Sequence, residues 1–157
     1  MKKVLIALDY DPTAQKVAEA GFALAKAMTA ELILLHVVAA PTYYSSEAYS
    51  PIMGFGGYLG TDFLQPNVAA DLKNASLEFL NKTKAHLNDL TIQTEVREGN
   101  AAESILQVAE DLHIDIIVMG SHSKKWLEKI VMGSITEKVL QHSAIPLFII
   151  PTRKAEK

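Results

Sequence analysis

Mostly apolar runs predict four strands of the chain. Three of these runs show no alternation of apolar and polar residues, which is expected for strands covered on both faces of a parallel sheet. The last run is short and lies between two prolines, Pro146 and Pro151. The four predicted strands are Val4–Leu8, Leu32–Val38, Ile114–Met119 and Leu147–Ile150.

A fifth strand, third in chain order, has a different pattern. Apolar and polar residues alternate between Thr91 and Glu98. Because side chains of a strand point to opposite faces in turn, this alternation predicts a half-exposed strand at or near a sheet edge.

Segments with helical spacing of apolar residues separate the strands. We expect the first helix after Asp11-Pro12, where the missing N–H of a proline near the first helical position is harmless. Asn100 and Glu103 form a capping box, which predicts the start of the third helix. The apolar residues of the four predicted helices lie at about positions 17–28, 72–87, 105–112 and 134–142.

This alternation of strand and helix predicts an α/β fold with an open parallel sheet and right-handed crossovers. We expect a single domain over residues 1–152, followed by a tail at 153–157. Ligands of such sheets bind beyond the carboxyl ends of the strands, where the strand order reverses. The segments predicted to meet there are Asp9–Asp11, Val37–Ala40, Gly99-Asn100 and Met119–Ser123.

A long insertion separates the second strand from the second helix. It covers about residues 39–67 and contains four of the eight glycines. Connections of this length are uncommon in compact domains and often serve as lids or partner surfaces. The insertion is therefore a candidate lid, and a loop without a role of its own is the alternative.

The composition excludes several classes of protein. The 157 residues include no cysteine, and the net charge is −3 with only two arginines, so we expect neither a disulfide scaffold nor a nucleic-acid partner. The longest mostly apolar stretch, Leu32–Pro41, is about half of the roughly 20 residues that span a bilayer. The first apolar run is too short for a signal peptide. We therefore expect no membrane association and a cytoplasmic location.

Two glycines and several hydroxyl groups after the fourth strand indicate a phosphate site. Gly120 would let the backbone approach a ligand, and Gly133 precedes a helix whose N–H groups favour anions. Ser121, Ser123 and Ser134 would add hydroxyl donors, and Lys124 or Lys125 could reach phosphate oxygens. Ordinary structure could also explain the pattern, because Gly120 could end a strand and Ser134 to Glu137 is a capping box.

The same loop resembles the nucleotide motif of the universal stress protein family, which is a glycine, two residues, a glycine, nine residues, a glycine and then serine or threonine. Gly120, Gly133 and Ser134 match this motif, whereas Ser123 replaces its second glycine. The resemblance extends over nearly the whole chain. The further matching segments are Val4–Asp9, Leu35–Val37, Gly99–Ala101 and Ile117–His122.

This resemblance implies a Rossmann-like fold of the adenine nucleotide alpha hydrolase type. The sheet would be an open, five-stranded parallel sheet in the order 3-2-1-4-5, with helices on both faces. The family further implies binding of ATP, AMP or ADP, with Mg²⁺ on the phosphates. The implied nucleotide contacts are Ala7, Leu8, Asp9, Val37, Met119, Gly120, His122, Ser123, Gly133, Ser134 and Ile135.

Several of these contacts have alternative interpretations. A side chain at Ser123 costs about 1 kcal/mol if the loop needs a positive φ there, which would weaken nucleotide binding. Asp9 could instead cap the first helix or stabilise a turn. We expect His36 to be a hydrogen-bonded core histidine. The other histidines lack the spacing of metal ligands, so we predict no zinc site.

The family also implies a homodimer that pairs the last strands through Leu147, Phe148, Ile149 and Ile150, since an unpaired apolar edge is an association template. The leading hypothesis is an ATP-binding stress and regulatory protein with an unidentified protein partner. A nucleotide-free interaction module of the same fold and a slow ATPase, using the region of Asp9 and His122, are the alternatives. Slow hydrolysis or autophosphorylation occurs in parts of the family, but no residue is a convincing catalytic base.

Overall fold

A computed structural model of the chain describes residues 1–38, 66–121 and 134–152. The predicted lid therefore lies outside the described residues up to position 65, as does the predicted tail at 153–157. The five strands are β1 (Lys3–Ala7), β2 (Glu31–Val38), β3 (Gln93–Glu98), β4 (Ile116–Gly120) and β5 (Leu147–Ile150). The helices within these ranges are α1 (Ala14–Ala27), α2 (Pro66–His86), α3 (Ala101–Asp111) and α4 (Ser134–His142).

All five strands are parallel and lie in the order β3-β2-β1-β4-β5, which confirms the predicted topology. β1 is the central strand, and Ile6 pairs with Leu34 on one side and with Val118 on the other. The alternating strand β3 is at one edge and is only partly buried along its length, as predicted. The strand order reverses between β1 and β4.

Two apolar layers cover the two faces of the sheet, as predicted. Odd and even residues of the strands divide between them because successive side chains point to opposite faces. Val4 and Ile6 pack with residues of α1 and α2, whereas Leu5 and Ile117 pack with residues of α3 and α4. Helix α1 lies very close to the sheet, since a Cβ atom built on Gly21 would lie 2.8 Å from Cγ1 of Ile6.

Three helices end at a residue in the left-handed conformation, and in each case this residue is not a glycine. Thr29, Asn88 and His113 have φ values of 53°, 55° and 54° after α1, α2 and α3. After α3, the N–H of Ile114 donates to the carbonyl of Ala109 at 2.9 Å, a bond typical of such helix ends. The prediction that the fourth strand begins at Ile114 is therefore wrong by two residues, because Ile114 completes the helix stop.

The turn into α3 matches its prediction. The side chain of Asn100 accepts a hydrogen bond from the N–H of Glu103 at 3.1 Å, so Asn100 caps the helix. Gly99 before it has a φ of 128°, a conformation that side chains disfavour. Its N–H donates to the carbonyl of Val38 at 2.9 Å, which ties the turn to the end of β2.

Candidate functional site

The central strand separates from both of its neighbours at its carboxyl end. Its last pair with β4 is Ile6 with Val118, and its last pair with β2 is Ala7 with Leu35. β4 nevertheless continues along β5 as far as Gly120. We call the space beyond Ile6 and Val118 the gap, because the ladder between β1 and β4 stops there, where the strand order reverses. This is the usual ligand position in open α/β sheets.

Three apolar side chains from neighbouring strands share one face of the sheet beside this gap. Met119 is 5% exposed, and Ala7 and Val37 are partly buried against the same apolar cluster under α3 and α4. They belong to β4, β1 and β2. We call these three residues the apolar floor, since a flat apolar group could rest against them.

The peptide groups of Val37 face the side of β2 on which β1 ends. In a strand, successive peptide groups point alternately to the two neighbouring strands. Leu35 accepts a hydrogen bond from Leu8 on the β1 side, and Val38 accepts one from Gly99 on the β3 side. Val37 lies two residues after Leu35, and its peptide groups therefore point to the same side. Its N–H and carbonyl are thus directed toward the gap.

Asp9 lies in the exposed turn that leaves β1. Its carbonyl accepts a hydrogen bond from the N–H of Asp11 at 2.9 Å. The carboxylate of Asp11 in turn accepts from the N–H and the hydroxyl of Thr13, at 2.8 and 2.6 Å, directly before α1. The interpretation of Asp9 as the helix cap is therefore wrong, because Thr13 occupies the cap position and Asp11 stabilises the turn.

The first turn of α4 is attached to the end of β4. Thr136 is 3% exposed, and its hydroxyl donates to the carbonyl of Gly120 at 2.9 Å. Ser134 and Ile135 precede it at the start of the helix and are exposed. Since the first N–H groups of a helix lack partners within it, this turn presents donors beside Gly120.

Ser121 connects the ends of β4 and β5. Its N–H donates to the carbonyl of Ile150 at 2.9 Å, and its hydroxyl oxygen accepts from the N–H of Thr152 at 3.1 Å. The predicted hydroxyl donor is therefore engaged through its oxygen, and its proton can still be donated to a ligand.

A family model described as "Universal stress protein family" matches residues 1–151. The chain belongs to the universal stress protein family. Universal stress protein MJ0577 of Methanocaldococcus jannaschii is 27% identical over 98% of this chain and 97% of its own length. Universal stress protein YxiE of Bacillus subtilis is 28% identical over 94% of this chain and 97% of its own length.

Solved structures of the family have the same fold. The structure of MJ0577 matches with a TM-score of 0.69 at 28% identity, over 99% of this chain and 98% of the MJ0577 chain. A universal stress protein in complex with cAMP matches with a TM-score of 0.62 at 14% identity and covers 97% and 98% of the two chains. The latter likeness concerns the fold alone.

The fold brings most of the predicted contacts of this family member to one edge of the sheet. Those at the carboxyl ends of the strands and at the start of α4 are Ala7, Leu8, Asp9, Val37, Met119, Gly120, Ser134 and Ile135. His122, Ser123 and Gly133 lie outside the described residues, and so do Lys124 and Lys125. The role of Ser123 in the motif remains a prediction.

Two residues that support this edge were not among the predicted contacts. Thr136 was visible only as part of a capping box, although it bonds to a carbonyl 16 residues earlier. Tyr10 directly follows Asp9, and its ring stacks on Phe79 of α2 with centroids 4.6 Å apart. Neither contact leaves a periodic signal in the sequence, because each joins segments that are distant along the chain.

The structural findings on metal sites and membrane-spanning helices concern the described ranges alone. Over residues 1–38, 66–121 and 134–152, the structure has no group of three or more His, Asp or Glu side chains that could hold a metal ion. Within the same ranges, no helix is both long enough and apolar enough to cross a bilayer. His36 is a buried core histidine with a hydrogen bond to the carbonyl of Leu8, as predicted.

Proposed function

We propose that this protein binds ATP, or AMP or ADP, at the carboxyl ends of β1, β2 and β4 and acts as a nucleotide-dependent stress and regulatory protein. The observation that carries the proposal is the gap beyond Ile6 and Val118, which has an apolar floor on one side and a helix start on the other. These two sides suit the two chemically different halves of a nucleotide.

The apolar floor suits a base and its ribose. Ala7, Val37 and Met119 would contact the flat face of adenine, whose burial removes apolar surface from water. The peptide groups of Val37 are directed toward the gap and would hydrogen-bond the edge of the base. The exposed carboxylate of Asp9 can only accept hydrogen bonds when ionised, and a ribose hydroxyl is a suitable donor.

The start of α4 suits the phosphates. Its first N–H groups and the hydroxyl of Ser134 would donate to phosphate oxygens, and the positive end of the helix dipole favours anions. The bond between Thr136 and Gly120 holds this helix start against the end of β4. His122, Ser123 and Gly133 would complete the phosphate contacts, as the family motif implies.

The side chains available as metal ligands determine how Mg²⁺ would be held. Mg²⁺ usually keeps several waters and binds through one or two carboxylates together with phosphate oxygens. The described part of the chain has no cluster of three potential metal ligands. We therefore propose that Mg²⁺ enters on the phosphates of ATP, where it offsets their negative charge.

A related protein supports a nucleotide ligand in general terms. One universal stress protein of this fold was solved in complex with cAMP. Its ligand combines adenine, ribose and a phosphate, so it shares both halves of the proposed ligand.

The test is direct measurement of binding to the purified protein. Nucleotide carried through purification is released by heat and identified by mass spectrometry, and ATP, AMP and tripolyphosphate are titrated by calorimetry with Mg²⁺. We expect ATP to bind more tightly than either fragment, since each fragment occupies one half of the gap. No released nucleotide and no heat with millimolar ATP would overturn the proposal and favour the nucleotide-free interaction module.

A charge-matched pair of variants tests the role of Asp9. Asp9→Ala and Asp71→Ala each remove one exposed carboxylate, and Asp71 lies on α2. Loss of a negative charge alone should slightly favour an anionic ligand. If Asp9 accepts a ribose hydroxyl, Asp9→Ala should instead weaken ATP binding by about tenfold, while Asp71→Ala should not weaken it. Equal affinities in the two variants would contradict the proposed role.

We also propose a homodimer that forms through β5. This edge strand exposes 42% of Phe148, and Leu147 and Ile149 are partly buried. An apolar edge with unpaired backbone groups favours association with another chain. Phe148→Asp should convert a dimer to a monomer in sedimentation, whereas Leu90→Asp, at a residue 80% exposed beyond α2, should not. A monomeric wild-type protein would contradict the dimer.

A further inference from the structure

We propose that His36 is a positioning residue for the nucleotide site, because it fixes the conformation of the chain on both sides of Asp9. The inference rests on the proposed function and adds to it a residue that the predicted contacts do not include. His36 acts through its neighbours, Leu8 before Asp9 and Tyr10 after it.

A hydrogen bond from His36 holds the residue that precedes Asp9. His36 is 8% exposed, and Nδ1 of its ring lies 2.8 Å from the carbonyl oxygen of Leu8. Because a carbonyl oxygen can only accept, Nδ1 carries the proton. The N–H of Leu8 donates to the carbonyl of Leu35 at 2.9 Å. Both peptide groups of Leu8 are thereby attached to consecutive residues of β2.

This side-chain bond takes the place of a sheet bond. In a continued parallel ladder, the Leu8 carbonyl would accept from the N–H of Val37, as the alternation of peptide groups requires. The ladder stops at Ala7 and Leu35. Since Leu8 is 5% exposed, its carbonyl needs a partner when β1 leaves the sheet, and His36 provides it. β1 can therefore turn away from β2 and open the gap without leaving a buried carbonyl unpaired.

Aromatic contacts hold the residue that follows Asp9. The ring of Tyr10 meets that of His36 edge to face, with centroids 5.3 Å apart, and stacks on Phe79. Phe79 also contacts the His36 ring, at 5.8 Å. The hydroxyl of Tyr10 donates to the carbonyl of Ala75 on α2 at 2.9 Å. The three rings orient the imidazole and fix Tyr10, so the peptide groups on both sides of Asp9 have defined positions.

The test compares two substitutions of His36 that differ in hydrogen bonding. His36→Phe keeps an aromatic ring and removes the donor, whereas the side-chain amide of His36→Asn can place a donor near the position of Nδ1. We expect His36→Phe to weaken ATP binding by about tenfold, which matches the loss of one ordinary hydrogen bond. His36→Asn should stay within about threefold of the wild type, and equal losses in both variants would overturn the proposal.

A third variant separates positioning from loss of stability. Leu87 is a buried core residue just after α2, close to the amino end of β3. It therefore lies away from the carboxyl ends of the strands, where the proposed site is. Leu87→Ala should lower the melting temperature without changing ATP affinity at a temperature well below melting. If Leu87→Ala weakens ATP binding as much as His36→Phe, the effect of His36 is general destabilisation and the proposal is wrong.

Nuclear magnetic resonance of the nucleotide-free protein keeps the inference testable even if no nucleotide binds or His36→Phe does not fold. In the wild type, the ring nitrogen shifts of His36 should identify Nδ1 as protonated. In His36→Phe, the backbone amide signals of Asp9 and Tyr10 should move. In His36→Asn, the Asp9 signal should return toward the wild type because a donor to the Leu8 carbonyl is restored, whereas the Tyr10 signal should not, because the ring contact is lost. A wild-type His36 protonated only at Nε2, or unmoved Asp9 and Tyr10 signals in His36→Phe, would overturn the positioning role whatever the outcome for ATP.

Discussion

The two ends of the central strand β1 differ in how they meet the neighbouring strands. At the amino end, the carbonyl of Lys2 accepts from the N–H of Glu31, and the carbonyl of Lys3 accepts from the N–H of Asp115, both at 2.9 Å. The carboxylate of Asp115 then accepts from the N–H of Lys3 at 2.8 Å and from Nζ of Lys2 at 2.9 Å. This end is closed on both sides by backbone bonds, to which the Asp115 carboxylate adds two bonds on the β4 side.

At the carboxyl end, the pairing of β1 with its two neighbouring strands ends at different residues. Pairing with β4 stops at Ile6, pairing with β2 stops at Ala7, and a histidine side chain then takes over the Leu8 carbonyl. A gap at the end of a strand therefore does not require a weak sheet. The same strand is closed at one end and opens at the other, where side chains replace strand neighbours as hydrogen-bond partners.

Gly120→Val should have the largest effect on the open end. A branched side chain would fill space at the carboxyl end of β4, and overpacking of up to about 3 kcal/mol corresponds to about a 100-fold loss of ATP affinity. The melting temperature should change little, because Gly120 is partly exposed and valine suits a strand. Calorimetry and thermal denaturation measure the two quantities.

The corresponding change at the closed end is the control for this experiment. Asp115→Asn alters bonds at the amino end of the same strand and should leave ATP affinity unchanged. If Gly120→Val binds ATP like the wild type, the gap is not the nucleotide site.

Gly21→Val tests the middle of β1, where both neighbours are still paired. A Cβ on Gly21 would lie 2.8 Å from Cγ1 of Ile6 and 3.2 Å from Cγ1 of Val118. We expect overpacking to lower the free energy of unfolding by about 2 kcal/mol, which exceeds the gain of several tenths that valine offers over glycine in a helix. Chemical denaturation measures the change.

Ala23→Val on the exposed side of the same helix is the matched control. It adds a valine without a sheet contact and should cost no more than about 0.7 kcal/mol through helix propensity. Equal destabilisation by the two variants would show that close packing on Ile6 does not determine the effect.

Patterns that repeat along the chain predicted the parallel α/β architecture and the side of the sheet on which the candidate site lies, whereas the strand order 3-2-1-4-5 was implied by the family resemblance. The buried runs predicted β1, β2 and β4, and the alternation in β3 predicted an edge. Since the carboxyl ends of parallel strands lie on one side, Asp9, Val37 and Gly120 were expected to lie near one another.

The partners in the supporting contacts could not be predicted, because these contacts join residues without a common spacing. His36 reaches a carbonyl 28 residues earlier in the chain, and Thr136 reaches one 16 residues earlier. The helix stops at Thr29 and His113 also escaped prediction, since sequence patterns mark such stops mainly by glycine. These positions depend on tertiary packing, which the local pattern does not contain.

Thr136→Val should have a smaller effect at the open end. It keeps the shape of a buried side chain but removes the hydroxyl that donates to Gly120. We expect the free energy of unfolding to fall by about 1 kcal/mol, the usual net contribution of such a bond. Thr136→Ser keeps the hydroxyl and should be less destabilising in chemical denaturation. The reverse order would mean that the methyl group, and not the hydrogen bond, attaches α4 to β4.

Asp115→Asn, at the closed end of β1, should have the smallest effect on stability, and this effect should depend on pH. Hydrogen bonds from the Lys2 ammonium and then from the Lys3 N–H hold the pKa of Asp115 below its ordinary value. A carboxyl group whose pKa is lowered by folding stabilises the protein above its unfolded pKa, and this contribution is lost as the pH falls through the folded pKa.

Wild type should therefore melt slightly above Asp115→Asn near neutral pH, and the difference should shrink as the solution is acidified below the ordinary pKa of an aspartate. Lys2→Met should remove the larger part of the difference, because the Lys2 bond is the main cause of the shift. High salt should reduce the contribution as well, since the pair is partly exposed to solvent. A difference that stays constant from neutral to acidic pH would mean that the closed end of β1 is held by its backbone bonds alone.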